Sequence, residues 1–111
     1  MTNEMERLTQ VLSPIFPPDS KLSVTEKGFD QQLTFSWKDQ AGCLHRVSIR
    51  VTGNALDDYR DSDESSKAKS DDTIAREIKK KFERHLSACV ACSKGGTNED
   101  EWGITTKHIT T

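Results

Sequence analysis

Cys89-Val90-Ala91-Cys92 is the one recognisable chemical motif in the chain, and His85 lies about one helical turn before it. Two thiols at this spacing can do redox chemistry or hold a metal. Redox use is poorly served, because the apolar pattern around the pair puts it at the C-terminal end of a helix. Thioredoxin-like pairs sit at a helix N-terminus, where the dipole stabilises the thiolate; at a C-terminus the effect reverses. For zinc, His85, Cys89 and Cys92 have ligand spacing, but a structural site needs four donors. His108 or Cys43 would have to supply the fourth, and neither sits in a knuckle-like context. The plainer reading buries Cys89 at the helix end and leaves Cys92 in the following loop. The chain has three cysteines and no export signal, so free thiols in a reducing cytoplasm are expected.

Arg76, Lys79, Lys80, Lys81 and Arg84 crowd one side of the same helix and could contact phosphates. An α-β-β-β-α order is shared with double-stranded RNA-binding domains, but their marks are missing. Those domains carry the basic cluster at the start of the last helix, beside a glycine-rich loop. Here the preceding segment is acidic and would repel a phosphate backbone. The alternative is a solvated face on which Glu77 pairs with Lys81.

Trp102 stands in the polar, acidic surround of Asn98-Glu99-Asp100-Glu101. A large aromatic there is a candidate protein-interaction residue, since Trp is a favoured hot spot. Docking on the chain's own sheet competes with that reading. Catalysis finds little footing: no G-x-S-x-G, P-loop, H-E-x-x-H or paired-carboxylate arrangement occurs. Asp57-Asp58 and Asp61-x-Asp63 lack the Gly and terminal Glu of an EF-hand loop.

The elements that position these residues centre on Leu22 to Val51, which reads as a three-stranded antiparallel meander. Leu22 and Val24 share a side of the first strand. Phe29, Leu33, Phe35 and Trp37 share one in the second, and Cys43, Val47, Ile49 and Val51 one in the third. Gly28 and Gly42 mark the turns. His45 falls on the apolar parity and Leu44 on the polar one. A bulge near the turn, or a partly exposed strand end, accounts for both; the sharper reading makes His45 a site residue beside Cys43, with no third group in the sequence to join them.

A first helix is expected over 3–13 from Met5, Leu8, Val11 and Leu12, ended by Ser13-Pro14. Ile15 and Phe16 then anchor the chain to the sheet. Asn54 to Tyr59 can add a turn or two of helix. Arg60 to Ser70 is polar throughout and reads as a mobile acidic, Ser-rich loop. A second main helix is expected over 72–89, with Ile74, Ala75, Ile78, Phe82, His85, Leu86 and Cys89 as its apolar stripe. Residues 94–101 read as a polar linker, and Trp102 to Thr111 as an edge strand or a tail.

At 111 residues, with 32% hydrophobic and 31% charged, the chain is one domain with a small core. Net charge is −2, yet residues 53–72 hold seven acids against three bases, and residues 73–94 six bases against two acids. That segregation excludes a uniformly basic nucleic-acid binder. No apolar run is long enough to span a bilayer.

The short first helix, Phe16-Pro17-Pro18 leading into a Val-containing strand, the polar meander and Trp102 near the C-terminus together resemble small uncharacterised proteobacterial proteins. The resemblance implies a bacterial source and no assigned activity. The expectation is therefore an α+β domain spanning 1–111, an antiparallel three- to four-stranded sheet with two helices on one face. It would be a non-enzymatic cytoplasmic protein without a membrane segment or cofactor, acting through a protein partner as adaptor, inhibitor or regulator. Nucleic-acid binding through the basic helix face and a zinc-stabilised module are the alternatives, and homodimerisation through an open sheet edge is a further expectation.

Overall fold

The computed structural model describes residues 3–40, 42–87 and 97–110. Three strands form the meander: β1 (Lys21–Lys27), β2 (Asp30–Lys38) and β3 (Leu44–Val51). Their pairing is antiparallel and regular from end to end. Gly28 and Gly42 close the two turns at φ +66° and +83°, where a side chain would be strained. No bulge interrupts β3. His45 pairs with Trp37 in register and points inward with Val47, Ile49 and Val51, so the bulge expected at the turn is absent.

The sheet is mixed rather than purely antiparallel. A fourth strand, β4 (Thr97–Ile104), runs parallel to β3 and completes the order β1-β2-β3-β4. It covers most of the stretch that composition marks as linker. Parallel neighbours need a long crossover, and here two helices provide it, α2 (Gly53–Asp61) and α3 (Glu64–Ser87). With α1 (Asn3–Leu12) the described residues hold three α-helices where two are expected.

The reading of 60–70 as a loop is corrected for a local reason. Asp63 accepts the Ser66 backbone N–H at 2.7 Å and so starts α3 eight residues before Asp71. The carboxyl of Asp63 is held below its ordinary pKa by that bond. Residues 64–70 then share the helix with Ile74 and Ile78, and Ser70 is itself buried. Composition reports what a segment can bury alone; it does not register a cap or an apolar continuation downstream.

Met5, Leu8 and Leu12 of α1, Ala55 and Tyr59 of α2, and Ile74 and Ile78 of α3 pack on the inner sheet face against Leu33, Phe35, Val47 and Ile49. Phe16 stacks on Phe35 with ring centroids 4.0 Å apart and meets Trp37 and Phe82 edge-on or nearly so. Two carboxylates of α3 tie the helical layer: Glu64 accepts from Arg7 Nη1 at 2.9 Å, and Asp71 joins all three helices. Asp71 accepts from Arg7 Nε at 2.9 Å and from the Tyr59 hydroxyl at 2.5 Å. Leu86, assigned to the apolar stripe, instead faces solvent, 47% exposed. The outer sheet face, with Thr34, Ser36, Arg46 and Ser48, is left open. No helix among the described residues is long and apolar enough to cross a membrane.

Candidate functional sites

The sheet has two ends with different chemistry. At one end, the β1–β2 turn holds Phe29, which is 94% exposed. Strand parity assigns it to the core, yet β2 begins at Asp30 and Phe29 belongs to the turn. The turn is firmly held. Asp30 accepts the Gly53 backbone N–H at 2.9 Å and Arg50 Nε at 2.7 Å, and these two bonds, the backbone one foremost, lower its carboxyl pKa. Gly53 lies so close that a Cβ there would stand 2.7 Å from the Phe29 carbonyl oxygen. Beside Phe29 runs an open groove of about 750 Å³, lined among others by Leu56, Glu4, Asp57 and Arg60.

At the opposite end, four side chains form one line. Asp39 Oδ2 lies 2.8 Å from His45 Nε2, His45 Nδ1 lies 3.0 Å from His85 Nε2, and His85 Nδ1 lies 2.5 Å from Asp100 Oδ2. His45 and His85 are buried. The Trp37 ring stacks on His45, centroids 5.0 Å apart and planes 6° off parallel. The β2–β3 turn makes the first half of this line. Asp39 accepts the Cys43 backbone N–H through Oδ1 and donates its own N–H to the Cys43 carbonyl. That closed loop fixes Asp39, while strand parity sends Cys43 and His45 to the inner face together. The second half comes from the last turns of α3 and from β4, where Asp100 shares the inward parity of Trp102 and Ile104.

Asp39, Cys43 and His45 each offer one metal-ligating atom, and the three atoms lie within 4.8 Å of one another. Cys43 is disulfide-bonded here, so the expectation of free thiols fails at Cys43. Its sulfur points inward at the crowded end of the sheet rather than into solvent.

The residues singled out in the sequence are dispersed. Cys89 and Cys92 lie outside the described residues. His108 sits in the turn after β4 and accepts the Thr105 backbone N–H through Nδ1. Thr110 reaches back to Ser70 near the start of α3, whereas His85 is near its end. His85 and His108 are therefore at opposite ends of the helix, and His108 is not a fourth ligand to a site at His85. Trp102 is half-buried on the core and faces Phe16 and His85. Arg76, Lys79, Lys80 and Arg84 are exposed along α3, with Lys81 half-buried. Lys81 and Arg84 border a cavity of about 290 Å³ that reaches His85, Asp100 and Trp102.

Sequence reasoning found His45 beside Cys43 and lacked the third group. That group is Asp39, whose position two residues after Trp37 in a polar turn looks like ordinary turn chemistry. The pairing of His45 with His85 spans 40 residues, and Asp100 was hidden in an acidic run. A buried-parity histidine on a strand and another on a helix stripe were the available signals. Comparison with known protein families, with curated proteins and with solved structures gives no match to this chain.

Proposed function

We propose that this chain is a non-enzymatic binding module that engages another protein through the β1–β2 hairpin tip, with Phe29 as the anchor. The observation that carries the reading is Phe29 itself, an aromatic ring left 94% exposed on a rigid turn. Moving such a ring from water into a partner's pocket is worth about 1.5–3 kcal/mol. The clamp of Asp30 on Arg50 and Gly53 keeps the tip ordered before binding, which lowers the entropic cost of association. The adjoining groove shows three acids and one base, Glu4, Asp30, Asp57 and Arg60. A partner segment with an apolar socket and basic flanks complements it. This moves the interaction role from Trp102, which its own core claims, to Phe29.

The test is a capture experiment with tagged full-length wild type and Phe29→Asp, washed at moderate and high salt with nuclease in parallel. Because Phe29 contacts little of its own chain, the variant should keep the wild-type circular dichroism and melting curve. A discrete protein retained by the wild type and lost by the variant supports the reading. Equal retention by both sinks it. A Phe29-dependent dimer in sedimentation would make a second copy the partner.

A second reading is nucleic-acid binding, favoured by the exposed row Arg76, Lys79, Lys80 and Arg84 on α3. A salt-sensitive shift of labelled RNA or DNA, abolished in Lys80→Glu/Arg84→Glu, would establish it; no shift at low salt removes it. A cytoplasmic, bacterial setting is part of the proposal, and a reducing thiol pool there would open the Cys43 disulfide.

A further inference from the structure

We infer that, once Cys43 is reduced, Asp39, Cys43 and His45 bind a divalent metal ion of the zinc class, with His85 and Asp100 holding the His45 ring in position. This goes beyond the hairpin reading and does not rest on it.

Three observations converge. First, the donor set is chemically matched. Carboxylate oxygen, thiolate sulfur and imidazole nitrogen are each zinc ligands, and thiolate in particular disfavours magnesium or calcium. Tetrahedral zinc bonds of about 2.0–2.3 Å put ligand atoms about 3.3–3.8 Å apart. The three donor atoms already lie within 4.8 Å of one another, so small side-chain rotations close the site.

Second, the donors are positioned by the backbone rather than by chance surface proximity. Asp39 and Cys43 are locked across one turn by reciprocal backbone and side-chain bonds at 3.0 Å. His45 is fixed two residues on by strand register and by the stacked Trp37 ring. All three stand within seven consecutive residues, and Cys43 and His45 are almost fully buried.

Third, the far side of the His45 ring is already braced. His45 Nδ1 lies 3.0 Å from His85 Nε2, and His85 Nδ1 lies 2.5 Å from Asp100 Oδ2. This is the outer-shell arrangement that metal-ligating histidines ordinarily show: the ring nitrogen not bound to metal is held by a fixed polar partner, which sets ring orientation. His45 Nε2, turned toward Asp39 at 2.8 Å, is the nitrogen left for the ion.

The fourth coordination position is open among the described residues.

The same sulfur cannot be both disulfide and ligand. A dithiol reductant supplies two electrons and two protons to the Cys43 disulfide and is itself oxidised to a disulfide. The released Cys43 thiol then gives up its proton as the metal binds. Metal binding is thus confined to the reduced chain.

The experiment uses the full chain, reduced with a phosphine and titrated anaerobically with Co²⁺ as a spectroscopic probe. The expected result is one equivalent bound, with a sulfur-to-cobalt charge-transfer band that Zn²⁺ bleaches. The oxidised chain should show none. Asp100→Asn, at a half-exposed site, should keep the fold and bind about 10-fold more weakly. Cys43→Ser should lose the band. In case that variant fails to fold, the wild type gives an independent reading: Zn²⁺ should slow alkylation of Cys43, followed by peptide mass spectrometry. No band from folded, reduced wild type overturns the inference. So does a full-strength band in Cys43→Ser, or a Cys43 alkylation rate indifferent to Zn²⁺.

Discussion

Replacing Tyr59 with Phe should cost about 1.5–2 kcal/mol, nearly all of it through one hydrogen bond. Tyr59 is fully buried, so the ring and its packing survive the change. What is lost is the donation from its hydroxyl to Asp71 Oδ1 at 2.5 Å. Hydrogen bonds to a charged group are worth about 1.5–3 kcal/mol net. The lower end applies because Asp71 keeps Arg7 and retains some access to water, its side chain being 17% exposed. For a domain of this size that corresponds to a fall in Tm of roughly 5–10 °C. The alkaline limb provides a sharper check. Burial, and then the neighbouring Asp71, push the Tyr59 hydroxyl above its ordinary value. A group whose folded pKa is raised contributes stability that is intact below its unfolded value, about 10, and is lost as pH climbs above it. Tyr59 is the only tyrosine in the chain. In Tyr59→Phe that component of the alkaline loss should vanish, and the wild-type tyrosinate absorbance should rise together with unfolding. Urea melts from pH 7 to 11 on both proteins would decide it. A destabilisation under 0.5 kcal/mol at pH 7, or an unchanged alkaline slope, would refute the assignment of Asp71 as a tie between helices.

Two other outcomes follow from the same structure. The carboxyls of Asp30 and Asp63 are both depressed, foremost by backbone N–H bonds from Gly53 and Ser66. Their contribution to stability is present above the ordinary carboxylate value, about 3.9, and should be lost as pH falls below it; Asp30→Asn/Asp63→Asn should flatten acid melts in that window. Gly53→Ala should destabilise by about 1–3 kcal/mol through the collision with Phe29, while Gly103→Ala, whose nearest neighbour is the Arg50 carbonyl at 4.0 Å, should cost far less in parallel denaturant melts.

Local pattern carried the meander well. Alternation placed Leu33, Phe35, Trp37, Val47, Ile49 and Val51 on one face, and all are buried there. It misplaced Phe29 because parity says nothing about where a strand starts. The direction of β4 was beyond reach for a different reason: whether an edge strand runs parallel depends on how α2 and α3 fill the crossover, which no local window encodes. The helix over 64–70 was hidden because a cap and a downstream apolar stripe overrode poor composition. At the candidate metal site, Cys43 and His45 were legible as neighbours. Asp39 looked like a turn residue, and His85 looked like either a core residue or a partner for Cys89 and Cys92. Only the tertiary fold sets it against His45.

The parallel pairing of β4 has a consequence for the order in which the molecule can be assembled. Within the meander, paired residues begin only three or six positions apart, at Lys27–Asp30 and Lys38–Leu44. Along β3–β4 every pair, from Leu44–Thr97 to Val51–Ile104, is separated by the same 53 positions. Closing that loop costs about 2 kcal/mol more entropy than closing the six-residue one, and no nearer pair along the ladder can zip it gradually. Asp100 therefore takes its register opposite Val47 only when this 53-position closure has been made. Asp39, Cys43 and His45, in contrast, are brought together by the shortest ones. The ligand triad belongs to the local part of the architecture and its outer brace to the long-range part, so a chain caught before α3 and β4 dock already carries the three donors but lacks the His85 contact, 40 positions away, that braces His45.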